Sequence, residues 1–192
     1  MKAYLACLLA ILPTAAFAAD HTVFGFELGK PLALQECEFK TVANTKMYDP
    51  TPRTTCFQAA HTMNGYGIPV RRIIFSQQDA PKIVKNWNLI ALEAHGVLIG
   101  LRFATYGAAS QELTLEQLTQ KYGKPSAVSQ HAVQNELGAA FNAVLAKWDL
   151  RDLSVTFEGI THSVDFGEVR IDLPEAVQMR AEWAKQETGR PL

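Results

Sequence analysis

Residues 97–125 read VLIGLRFATYGAASQELTLEQLTQKYGKP, and this stretch decides the fold. Its first nine side chains alternate between a mixed set and an apolar set. The apolar set is Val97, Ile99, Leu101, Phe103 and Thr105. A period of two predicts a β-strand that packs one face on a core.

A helix is predicted directly after this strand. Thr114 is the expected N-cap, because Gln117 stands three residues later, at the spacing of a capping box. The residues that share its apolar face are Leu115, Leu118 and Tyr122. Gly123 and Pro125 form the expected end, since glycine allows a left-handed cap and proline prevents continuation.

Segments on both sides of this stretch continue the pattern. Predicted strands are 70–75, 87–93, 127–134, 143–149, 153–158 and 168–173, and residues 23–28 and 56–61 are candidates for further short strands. Turns are predicted at His95-Gly96, which closes a hairpin, and at residues 64–67 (NGYG). Residues 31–37 are predicted to form a short helix and residues 40–55 a loop. The predicted fold class is α+β, with a mainly antiparallel sheet of seven to eight short strands and two to three short helices.

One domain is expected over residues 20–192. It divides into a disulfide-closed N-terminal part at 20–85, a sheet–helix–sheet part at 86–173 and a C-terminal helix at 174–187, opened by Pro174. We expect no transmembrane segment, because no later stretch is long and apolar enough to span a bilayer.

The first residues have the features of a secretory signal peptide at 1–18. Lys2 gives a positive start, an apolar run at 5–12 follows, and Ala16-Phe17-Ala18 is an A-x-A cleavage sequence. Cleavage is expected after Ala18, with Ala19 as the second choice. This leader predicts a periplasmic or secreted protein.

Cys37 and Cys56 are the cysteines that remain beyond the leader. In an oxidising compartment two cysteines allow one intramolecular pair, so we predict a structural disulfide between them. The alternative interpretation is a reactive thiol or half of a metal site.

Charge and motifs argue against several functions. The chain has 18 basic and 19 acidic residues and no basic run, which disfavours nucleic acid as a partner. Its five histidines show no metal-ligand spacing, and it contains neither a nucleophile elbow nor a phosphate-binding loop. We therefore expect no metal, no cofactor and no catalytic constellation that the sequence identifies.

Two groups of residues are candidates for binding. Arg71 and Arg72 face opposite ways on a strand, and one of them is predicted to line an anion-binding surface with Arg102, unless these side chains simply extend to solvent. Met179 and Trp183 lie on a thin apolar face of the C-terminal helix and are the candidate partner contacts.

The second half of the chain resembles a known group of proteins. The motifs are Lys121-Tyr122-Gly123-Lys124-Pro125, a central Trp148, residues 155–159 (VTFEG) and residues 167–169 (GEV). They resemble uncharacterised exported proteins of Gram-negative bacteria, which implies a Gram-negative source for this chain. More distantly, they resemble outer-membrane assembly lipoproteins of the BamE/SmpA type and the β-lactamase-inhibitor-protein-like fold. The resemblance implies binding or assembly, although the chain lacks the lipidation cysteine of those lipoproteins.

The expected function is therefore non-catalytic binding of an envelope protein or a small ligand, with the oligomeric state open. Two alternatives are an envelope hydrolase, whose site would be assembled from distant residues, and an inhibitor or immunity-type protein. A catalytic site assembled in this way is recognised by its geometry and not by sequence spacing.

Overall fold

A computed structural model describes residues 20–62 and 69–188; the predicted leader and the predicted turn at 64–67 lie outside them. The N-terminal strands are β1 (Thr22–Val23), β2 (Phe26–Glu27), β3 (Phe39–Val42), β4 (Thr45–Tyr48), β5 (Cys56–Thr62) and β6 (Pro69–Ile74). The central elements are β7 (Asn88–Ala94), β8 (Val97–Thr105) and α1 (Gln111–Tyr122). The last elements are β9 (Ala127–Gln134), β10 (Ala140–Asp149), β11 (Ser154–Glu158), β12 (Gly167–Asp172) and α2 (Pro174–Thr188).

Eight of these strands form one antiparallel sheet, in the order β5-β6-β7-β8-β12-β11-β10-β9. The pairs β1–β2 and β3–β4 form two small sheets of their own. The α+β class and the antiparallel sheet are confirmed. The described residues hold twelve strands, more than the seven to eight predicted, since residues 23–28 divide into β1 and β2 and the hairpin β3–β4 lies mostly in a predicted loop.

Tight turns close three of the hairpins. The turn pairs Phe24-Gly25, Ala43-Asn44 and His95-Gly96 all have positive φ at both residues. Two successive left-handed residues give the turn whose twist matches that of paired strands. The predicted turn at His95-Gly96 is confirmed.

A bulge in β8 changes the predicted alternation. The register shifts so that Glu93 faces Leu98 while Leu92 faces Gly100, which leaves Ile99 as the extra residue. As a result Leu98 joins Leu101 and Phe103 in the main core, and Ile99 packs in a second cluster on the opposite face. Alternation in the sequence cannot show such a bulge, because one extra residue moves every side chain before it to the opposite face of the sheet.

The helix α1 begins earlier than predicted. Its N-cap is Ser110, and Thr114 lies inside the helix and is fully buried. The helix ends at Tyr122 with Gly123 at φ 81°, as expected. Leu118 and Tyr122 pack on the core face of the sheet, around the fully buried Trp148.

Three N-terminal predictions are wrong. Residues 23–28 form the β1–β2 hairpin and not one strand, because the chain reverses at Phe24-Gly25. Within 40–55 the β3–β4 hairpin replaces the expected loop. Residues 31–37 are not helical but extended, and Glu36 bridges Phe57 of β5 in parallel. Tertiary pairing overrides the local helix signal there.

The helix α2 packs on the second face of the sheet. Ala176 is fully buried with Val70, Leu92 and Ile99. Arg180 donates a hydrogen bond of 2.6 Å to the carboxylate of Asp172, which is itself buried. The helix therefore covers one end of this face and leaves the rest open.

Candidate functional site

The two edges of the large sheet differ in how the chain treats them. At the β5 edge, the chain itself adds a partner: Cys37 donates to the carbonyl of Phe57, and Phe57 donates to the carbonyl of Gln35. The disulfide between Cys37 and Cys56 holds this segment in place, with a Cα–Cα distance of 5.0 Å. The predicted disulfide is confirmed, and its position shows that it covers a sheet edge.

The opposite edge, β9, is open. Among the described residues no strand lies beyond it, and seven of its eight residues are exposed. Its sequence, AVSQHAVQ, contains no proline and no lysine, arginine, aspartate or glutamate. Proline and charged side chains normally protect an edge strand from pairing with another chain, and β9 has neither.

The hydrogen bonds show which backbone groups of β9 are free. Asn135 donates to the carbonyl of Ala139, so the odd-numbered residues of β9 bond to β10 in this antiparallel register. The alternate residues therefore direct their N–H and C=O groups outward. They are Val128, Gln130, Ala132 and Gln134. The edge presents four donor–acceptor pairs in the spacing that an added strand would need.

The side chains of β9 offer small apolar groups between polar ones. Val128 lies opposite Ala146 on the core face and is 52% exposed. On the other face, Val133 lies opposite Phe141, and both are half-buried. The β9–β10 connection carries Leu137, which is 93% exposed. An added strand would thus cover apolar surface in addition to pairing its backbone.

The predicted arginines lie on two faces. Arg72 and Arg102 flank Ile90 in one cross-strand row on the second face, which continues through Arg170. Arg71 points to the core face, where its Nε lies 2.9 Å from Glu93 and its guanidinium lies 4.4 Å from the Phe57 ring centroid. The structure therefore brings Arg72 and Arg102 together and separates Arg71 from them.

Acidic neighbours neutralise part of the positive charge of this row. Arg102 pairs with Glu168, and Arg170 pairs with Glu158 and Glu168. Within the described residues Arg72 has no ion pair, and its buried Nε has no hydrogen-bond partner. Anion binding at this row stays a prediction.

Met179 and Trp183 lie on α2 and are both half-buried. Met179 packs against the cluster formed by Val70, Leu92 and Ile99, so part of its apolar surface holds the helix on its own sheet. Their role as partner contacts stays a prediction.

Several titratable side chains of the described residues lie in small local contacts. The described residues contain no cluster of three or more His, Cys, Asp or Glu side chains suited to a metal. His21 lies 3.2 Å from Asp152, and the His162 ring lies 5.0 Å from the Phe166 ring. The Asp79 carboxylate accepts hydrogen bonds from the hydroxyls of Ser76 and Thr55, and these bonds lower its pKa.

Comparisons with protein-family models, curated proteins and solved structures found no match to this chain. Across residues 20–62 and 69–188, no helix combines the length and the apolar character required to cross a membrane. Function is therefore inferred from the geometry of this chain alone.

Sequence reasoning identified the β9 strand with its correct bounds but not its position at the edge. The signal that could have indicated this position is a run of eight residues that contains no Lys, Arg, Asp or Glu and is too polar for a strand buried on both faces. Strand order is set by pairing between distant segments, so that signal alone does not place a strand at an edge.

Proposed function

We propose that this chain is an exported, non-catalytic binding module that takes up an extended segment of a partner protein along β9. The observation that carries the proposal is the open, uncharged and exposed edge of β9. Strand addition uses main-chain hydrogen bonds for affinity and alternate side chains for specificity. Both are available on β9.

The contrast between the two edges supports this role. The protein closes the β5 edge with its own residues 35–37 and a disulfide. An edge left open in the same sheet is a liability unless a partner covers it. Export fits the leader-like residues 1–18 and the disulfide, and an envelope protein is the expected partner.

The decisive test separates backbone pairing from side-chain contact. Gln130→Pro removes an outward N–H without removing a bond to β10, since proline is tolerated on the solvent side of an edge strand. Gln130→Ala keeps that N–H and serves as the matched control. We expect partner binding to be lost in the proline variant and retained in the alanine variant, with similar melting temperatures for both.

The partner can be captured with a photo-crosslinking side chain at His131, whose backbone groups face β10. A second crosslinker at Leu113, an exposed apolar residue of α1, controls for nonspecific capture. Adducts should form at His131, be absent at Leu113 and disappear with Gln130→Pro. Equal adducts at both positions, or adducts unaffected by the proline, would contradict strand addition.

A further inference from the structure

A cavity of about 240 Å³ lies between the β1 segment, α1 and the core face of the sheet. Its apolar walls are Val23, Phe24, Ile83, Phe103, Leu118 and Ile171. Its polar lining residues are Thr22 of β1 and Gln117, Lys121 and Tyr122 of α1. Mainly apolar walls with a few polar groups are typical of small-molecule sites.

Tyr122 contributes a hydroxyl that the protein leaves unsatisfied. The residue is 8% exposed, and its hydroxyl oxygen has no hydrogen-bond partner among the described residues. Burial, together with the nearby charge of Asp20, raises the pKa of Tyr122 above its ordinary range, so the hydroxyl keeps its proton. A buried donor without an acceptor costs free energy that a ligand oxygen would recover.

Lys121, the preceding residue of α1, provides a second polar group of the lining. Its ammonium pairs with the carboxylate of Asp20, the residue just before β1. The Asp20 side chain is 57% exposed, and the lysine lowers the pKa of this carboxyl by donating to it. A carboxylate therefore already occupies the position beside Lys121, and it is held by a chain segment at the surface.

We propose that this cavity binds a small monocarboxylate with an apolar body. The ligand carboxylate would replace that of Asp20 beside Lys121 and accept a hydrogen bond from the Tyr122 hydroxyl. The apolar body would lie between Phe24, Phe103 and Leu118. The Lys121 ammonium and the buried Tyr122 hydroxyl together match one carboxylate, and the inference is independent of the role proposed for β9.

Straight-chain carboxylates from butanoate to decanoate are the appropriate probes, each compared with the alcohol of equal length. Calorimetric titration of the purified protein should show binding of a carboxylate and at least ten-fold weaker binding of its alcohol. Equal affinity for acid and alcohol, or binding of neither at millimolar concentrations, would overturn the proposal.

Three substitutions locate the site. Asp20→Asn removes the competing carboxylate and should tighten binding several-fold, whereas Lys121→Gln should weaken it about ten-fold. Tyr122→Phe should weaken it about five-fold, the loss expected for one hydrogen bond. Lys124→Gln, an exposed lysine just beyond α1, is the matched control and should change nothing.

Asp20 and Lys121 lie at the surface, so their variants keep the core intact even if Tyr122→Phe alters stability. Opposite effects of Asp20→Asn and Lys121→Gln support the site. Unchanged affinity in both variants would show that the carboxylate binds elsewhere and would contradict the assignment.

Discussion

Asp172 forms an ion pair, yet the burial of its charged carboxylate costs free energy. Its carboxyl is buried, and burial raises its pKa even though Arg180 lies 2.6 Å away and favours the charged form. Removing a carboxylate from water can exceed the attraction gained from one partner. The ion pair that orients α2 therefore carries a desolvation cost.

The raised pKa predicts a definite pH dependence of stability. Between 3.8, the ordinary value, and the higher value in the folded protein, the native state holds more protons than the unfolded state. The contribution of Asp172 is thus most favourable at low pH and is lost as pH rises through its folded pKa. Denaturant unfolding measured across this pH range should show this loss of stability in the wild-type protein and not in Asp172→Asn.

Asp49 provides a control of opposite sign. Lys40 and the backbone N–H of Thr51 lower the pKa of Asp49. Its contribution is present above 3.8 and is lost as pH falls through the folded pKa. Asp49→Asn should therefore remove a stabilisation at neutral pH, and equal pH profiles for the two variants would contradict both assignments.

Trp148 links the end of α1 to the sheet through one hydrogen bond. Its indole N–H donates to the carbonyl of Gly123 over 2.7 Å, and the side chain is fully buried. Trp148→Phe loses this bond and some packing, so we expect a loss of about 1–2 kcal/mol in the free energy of unfolding. Trp183→Phe on the half-buried face of α2 should change it by less than about 0.5 kcal/mol in urea titrations.

At the scale of elements, the docking of α2 depends on a glycine in β8. A Cβ at Gly100 would lie 2.4 Å from the Asp172 carboxylate and 3.5 Å from Ala176. The absence of a side chain lets Asp172 reach Arg180 and lets the helix approach the sheet. This contact explains why α2 lies on the sheet although its apolar face is narrow.

Gly100→Ala should displace Asp172 and loosen α2, at a cost of about 1–3 kcal/mol in stability. In an Asp172→Ala background the same change should cost less, because the clashing oxygen is gone. A double-mutant cycle measured by urea unfolding checks this coupling. Equal costs in both backgrounds would show that Gly100 acts through backbone conformation alone.

At the scale of the whole molecule, the disulfide stabilises the sheet by closing an edge. The Cys37–Cys56 bond spans 19 residues. Replacing both cysteines with alanine should lower the free energy of unfolding by about 3 kcal/mol and release residues 35–37 from β5. Urea titration and light scattering should show lower stability and more association, as a second edge becomes open.

Reduced wild-type protein is the control for this variant and should behave like it. A loss below about 1 kcal/mol, with no change in association, would show that the backbone bonds of Phe57 hold the segment without the disulfide.

The sequence by itself determined the elements whose signals are local. Strands β8 and β9 have the predicted bounds, α1 ends at the expected glycine, and the pairing of Cys37 with Cys56 followed from their number. Alternation and a left-handed helix cap are signals that extend over a few residues. Two cysteines leave only one possible intramolecular pair.

Only the tertiary structure decided the features that depend on distant segments. Strand order placed β9 at an open edge, pairing with β5 made residues 31–37 extended, and the bulge at Ile99 assigned side chains to opposite faces. The cavity beside Tyr122 likewise needs β1, α1 and the sheet together. Each of these features arises from contacts between segments far apart in the chain. The free energy of such contacts exceeds local secondary-structure propensity, and the contacts leave no pattern in the local sequence.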